Sequence, residues 1–200
     1  MFVEMRETVL ELLGLSWPMI VISAIIASTF RIVQLNQNEE KFIFHKEAMK
    51  LIFIIYILCL YQAVTYQDVS YAGANYIPFK EMFRYNVGSN LFFRNVIGNL
   101  LLFMPYGFFI ALYTKAKKPI IIISLATVAS LSIEITQLLI GRVFDVDDIL
   151  LNIIGAIIGF LLYQLLKIIN DKLPNFLKKD WILNIVTCLI LGGALWFLMK

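Results

Sequence analysis

The sequence predicts an all-α, polytopic membrane protein of about six transmembrane helices, with an interfacial amphipathic segment between the second and third. Three observations carry this. Of 200 residues, 60% are hydrophobic, against about half in a soluble domain, and the mean hydropathy is +0.83. Several apolar runs exceed the roughly 18 residues that mark a membrane helix. Between those runs lie short polar breaks in which most of the lysines and arginines sit.

The first span is expected over residues 12–33, with Pro18 near its start and Arg31 at its end. Its leading residues carry Glu4, Glu7 and Glu11, unlike the positive start of a secretory signal. Residues 34–50 read as a charged loop that includes His45. A second span follows over 48–66. Residues 67–94 are rich in aromatics, among them Tyr71, Tyr76, Phe79 and Phe83, which favour the membrane–water boundary. Pro78 suits the first turn of a helix. Phe79, Met82 and Phe83 would then share one face, so an interfacial helix is expected there.

The third span covers 95–113 and contains Gly98, Pro105 and Gly107. The basic turn from Lys115 to Pro119 leads into a fourth over 120–140. The fifth covers 148–168 and the sixth 181–199. The whole chain, 1–200, reads as a single membrane domain. An N-terminus outside puts eleven Lys and Arg in inside loops and six outside. The positive-inside rule therefore predicts that both termini and the turn at Arg142 lie outside.

Composition excludes other classes. One histidine rules out a multi-histidine zinc centre, and no basic cluster has the pattern of a nucleic-acid surface. Cys59 and Cys188 lie in apolar runs and read as buried reduced thiols rather than a disulfide framework. No cofactor is expected.

The polar residues inside the apolar runs are the functional signal, because ionisable groups in a membrane span are costly. With the predicted topology, Asn99 lies near the outer end of the third span. Glu134 and Gln137 share a face near the outer end of the fourth, with Glu134 roughly 10 Å below Gly141 along the axis. Asp148 and Asn152 share a face at the outer end of the fifth. Asn75 and the turn residues Arg142 and Asp145 belong to the same level. These eight residues form the candidate ligand-binding site. An ionised Glu134 needs a partner, and Arg142 falls near the same helix face if the helix persists. Asp147 and Asp148 also suit a helix N-terminus on dipole grounds. Gly155 and Gly159 read as a small-xxx-small packing face.

At these residues the chain resembles the VanZ-like family of bacterial membrane proteins. The resemblance rests on Asn75-Tyr76-Ile77-Pro78-Phe79, on Asn95-Val96-Ile97-Gly98-Asn99 running into Phe103-Met104-Pro105-Tyr106-Gly107, and on Ser132-Ile133-Glu134 with Gln137. Arg142, Asp145, Asp148, Asn152, Gly155 and Gly159 complete it. It covers roughly residues 70–165. The resemblance implies a multi-pass protein of the bacterial cell membrane, akin to an accessory resistance factor against teicoplanin-type lipoglycopeptides.

Three functions are open at this point. The first is an outer-face site binding an amphiphile: a lipoglycopeptide antibiotic, a lipid-linked cell-wall precursor or a phospholipid. The second is a membrane enzyme acting on a lipid or envelope substrate, with Glu134 as general acid or base and Asp145 and Asp148 as oxygen ligands for a cation. The third is a small transporter or flippase. No activated nucleophile and no inverted repeat stand out, so binding is the expected function.

Overall fold

A computed structural model describes residues 2–65 and 74–199. Six helices among them are long and apolar enough to cross a membrane. We label them α1 (Phe2–Gln37), α2 (Phe44–Thr65), α3 (Asn90–Thr114), α4 (Ile120–Leu139), α5 (Val146–Lys172) and α6 (Asp180–Met199). The all-helical, six-span architecture expected from the apolar runs is the one observed. The expected aromatic residue Tyr71 lies outside the described residues.

The helices overrun the predicted spans at several ends. The charged loop expected over 34–50 shrinks, because α1 continues to Gln37 and α2 already begins at Phe44. His45 therefore sits in the first turn of α2, not in a loop. Hydropathy marks only the part of a helix that lies in lipid, and a helix can continue past it as a polar turn.

The described chain divides into two compact units. One comprises Met1–Ala63 with Lys172–Lys200, and the other Val64–Asp171. In the first, Arg31 at the end of the α1 span forks onto Glu47 of α2 at 2.9 and 3.0 Å and reaches Glu40 at 2.9 Å. The backbone N–H of His45 donates to Oδ1 of Asn184 at 2.9 Å, and its ring Nδ1 lies at the same distance, joining α2 to α6. Cys59 is half-buried and Cys188 exposed, so the expectation of two buried thiols fails at Cys188. An exposed face of a membrane helix meets lipid, which accepts a thiol as readily as a core does.

The second unit holds α3, α4 and α5. Glycines bring α3 and α5 together. A Cβ on Gly107 would fall 1.9 Å from the Ala156 carbonyl oxygen; one on Gly155, 2.3 Å from that of Leu100; one on Gly159, 2.0 Å from that of Met104. No residue with a side chain permits that approach, so Gly155 and Gly159 are packing residues, as their spacing suggests. Phe103, Ile122, Ala126 and Ala156 form the buried apolar centre. The Tyr106 hydroxyl donates to the Leu125 carbonyl at 3.3 Å, linking α3 to α4.

Residues 78–84 form a run of turns, not the expected interfacial helix. Phe79 adopts φ +67°, a left-handed conformation that no α-helix contains. The i, i+3, i+4 apolar spacing is real, but the backbone N–H groups here bond a side chain from another element.

Candidate functional site

The site is built where α4 ends and α5 begins. α4 stops in a Schellman motif: Gly141, at φ +83°, donates to the Leu138 carbonyl at 3.2 Å, and the N–H of Arg142 donates to the Gln137 carbonyl at 2.8 Å. The helix therefore does not persist to Arg142. The reversal at Gly141, not helical phase, positions its side chain. Four residues later α5 starts with Asp145 as its N-cap, whose Oδ1 accepts the N–H of Asp147 at 2.8 Å.

Glu134 lies one turn before the end of α4 and is 1% exposed. Its Oε2 accepts the backbone N–H of Asp145 at 2.8 Å, which ties the helix to the turn that follows it. Asp145 in turn accepts the Asn75 amide at 2.9 Å. The backbones of Asn75 and Asp145 form an isolated parallel bridge, with Asn75 donating to the Phe144 carbonyl at 2.8 Å and Val146 to the Asn75 carbonyl at 3.2 Å.

The other residues join from three directions. Asn99, two residues past a π-helical stretch (Phe93–Ile97), donates to Oδ1 of Asp148 at 2.5 Å. The Gln137 amide donates to the Val64 carbonyl at 3.0 Å, and the Arg142 guanidinium donates to the same oxygen. Asn152 donates to the Ser130 hydroxyl at 2.9 Å, a fully buried pair between α5 and α4. Seven of the eight candidate residues meet in three links: Asn75–Asp145–Glu134, Asn99–Asp148 and Gln137–Val64–Arg142. The eighth, Asn152, pairs with Ser130 instead.

Among the described residues of this region, acidic groups outnumber basic ones: Glu134, Asp145, Asp147 and Asp148 supply four carboxyl groups and Arg142 a guanidinium. Burial pulls the Arg142 guanidinium below its ordinary value, and the nearby charges of Glu134 and Asp148 act against that shift. Burial pushes the Asp145 carboxyl up, and the hydrogen bonds from Asp147 and Asn75 hold it back. Oδ1 of Asp145 already takes two hydrogen bonds, and no group of three or more His, Cys, Asp or Glu among the described residues is arranged to hold a metal ion.

Two residues were not singled out by sequence. Asp147, 1% exposed, reads as a helix-dipole residue, but its carboxylate accepts the backbone N–H groups of Phe79, Glu81 and Met82 at 2.5, 2.8 and 2.9 Å. Ser130 is completely buried as the partner of Asn152. Its signal is its spacing from Glu134 and Gln137, four and seven residues on, which puts all three on one face of α4.

A family model described as VanZ/LLP1 matches residues 48–167, more than half of the chain. No curated protein matches, and no solved structure does.

Proposed function

The chain belongs to the VanZ/LLP1 family, and from that premise and the geometry of its polar constellation we propose that it binds the headgroup of an amphiphile at one face of the bacterial cell membrane. The observation that carries this reading is the half-buried Arg142 guanidinium, which feels the charges of Glu134 and Asp148 at the turn joining two helices long and apolar enough to cross a membrane. A planar cation with several donors suits a polar headgroup. Apolar helix surfaces and the exposed rings of Phe79 and Phe83 give an acyl chain somewhere to lie.

Hydrogen-bonding capacity bears on the choice of headgroup, because the amides of Asn75, Asn99 and Gln137 stand with several carboxyl groups in the region of Arg142. Amide and carboxylate oxygens beside a forked donor match the hydroxyls of a sugar. A sugar-bearing amphiphile, such as a lipoglycopeptide or a lipid-linked cell-wall precursor, therefore fits better than a plain anionic lipid. Teicoplanin-type resistance is the physiological role this reading favours. Glu134 is fully buried and bonded to a backbone N–H, which suits a positioning role better than proton transfer.

Cells expressing the protein test this directly. Tolerance to a teicoplanin-like drug should rise, with vancomycin, which lacks the acyl tail, affected much less. Equal protection against both would point to a general change of the envelope and would overturn the headgroup reading. No protection against either would leave a resident lipid or wall precursor as ligand, to be sought on the purified protein.

A further inference from the structure

Residues 76–87 present Tyr76, Ile77, Phe79, Phe83 and Val87 on the surface, with Phe83 80% and Val87 86% exposed. So much apolar surface on an irregular segment calls for a covering. The segment is fastened to the first turn of α5, a membrane-crossing helix, through the Asn75–Asp145 bridge and through Asp147. It therefore sits at the level where that helix enters the bilayer.

Its backbone chemistry says what covers it. Irregular backbone cannot enter a bilayer unless its N–H groups are satisfied from within the protein. Here a buried carboxylate does that: Asp147 accepts three N–H groups from the turn, at Phe79, Glu81 and Met82. Water would serve these donors equally well in a turn that stayed in solvent. Lys80 is exposed beside the apolar residues, and Arg84 pairs with Glu81 at 2.9 Å. Aromatic rings with basic neighbours are the composition of a segment lying in the headgroup layer.

We infer that residues 76–87 insert into the lipid headgroup layer as a membrane-interface anchor, and that Asp147 makes the insertion possible by satisfying the backbone of the turn. Phe79, Phe83 and Val87 meet the upper acyl chains, while Lys80 reaches phosphate oxygens. The inference is independent of what the polar constellation binds.

The test uses the full chain in phosphatidylcholine vesicles, with Phe83→Trp as reporter and Trp17, Trp181 and Trp196 replaced by Phe. Quenching by lipids brominated high on the acyl chain should exceed quenching by aqueous iodide several-fold. Asp147→Ala should bring the two towards equality. Stronger quenching by iodide than by brominated lipid overturns the inference, because the turn then lies in water. Protection from both overturns it too, because protein, either a second copy or another element, then covers the ring. An unchanged ratio in Asp147→Ala removes the role given to that carboxylate. Should the Trp-poor background fail to assemble, Phe83→Trp in the native background, read as the difference from its parent, gives the same comparison.

Discussion

The carboxylate of Glu134 accepts the backbone N–H of Asp145 at 2.8 Å, across the reversal that joins α4 to α5. Glu134 thus holds the turn that carries Arg142 and Asp145. Glu134→Ala leaves a buried N–H without an acceptor, at a cost of about 1–3 kcal/mol. It also removes a carboxylate that acts on the charge of Arg142. Glu134→Gln keeps an acceptor of the same length and should lose much less. Thermal unfolding in detergent separates the two; equal losses would mean that the hydrogen bond is not what matters.

The glycine contacts give a second expectation. Gly155→Ala and Gly159→Ala would each drive a methyl group into a carbonyl of α3. Each should cost about 1–3 kcal/mol by overpacking. Gly192 has nothing within 4 Å of such a methyl, so Gly192→Ala should be neutral or gain up to about 1 kcal/mol from helix propensity. Comparing the three melting temperatures decides whether close α3–α5 contact is a requirement.

Asp145 makes stability depend on pH. Its carboxyl is raised by burial, so the native state keeps this proton to higher pH than the unfolded chain does. The stability it contributes is complete below the unfolded value of about 3.9 and is lost as pH rises through the folded value. Asp145→Asn retains an acceptor for Asn75 and for the N–H of Asp147. It should flatten the fall in melting temperature over the acidic range above pH ~4. Parallel curves for the two proteins would exclude this contribution.

Orientation follows from the eleven-to-six distribution of Lys and Arg. In intact cells, a cysteine placed by Phe144→Cys should react with an impermeant thiol reagent, and one placed by Lys117→Cys should react only after permeabilisation. The reverse pattern would invert the topology.

Much of this was legible in the sequence for a simple physical reason. A membrane helix announces itself by length and hydropathy, and chain order then fixes which helix ends share a level. Asn99, Glu134, Gln137, Asp148 and Asn152 could be grouped on that basis alone. Asp147 could not be assigned, because its partners are backbone N–H groups 65 to 68 residues away in a segment without regular structure. Side-chain patterns carry no record of such donors. The same bonds explain why residues 78–84 imitate a helix in sequence and form turns instead. Helical phase alone points Arg142 towards Glu134, whereas the Schellman reversal at Gly141 is what sets its position.

The central claim is that Arg142 and its neighbours hold an amphiphile's headgroup. Native mass spectrometry of the protein, extracted from its own membrane in mild detergent, tests it most directly. The wild type should retain one amphiphile well above its share of the bulk lipid. Arg142→Lys keeps the charge but loses the planar fork, and should retain about tenfold less, equivalent to ~1.4 kcal/mol. If both proteins carry the same adducts in the same proportions as the surrounding membrane, the claim is contradicted.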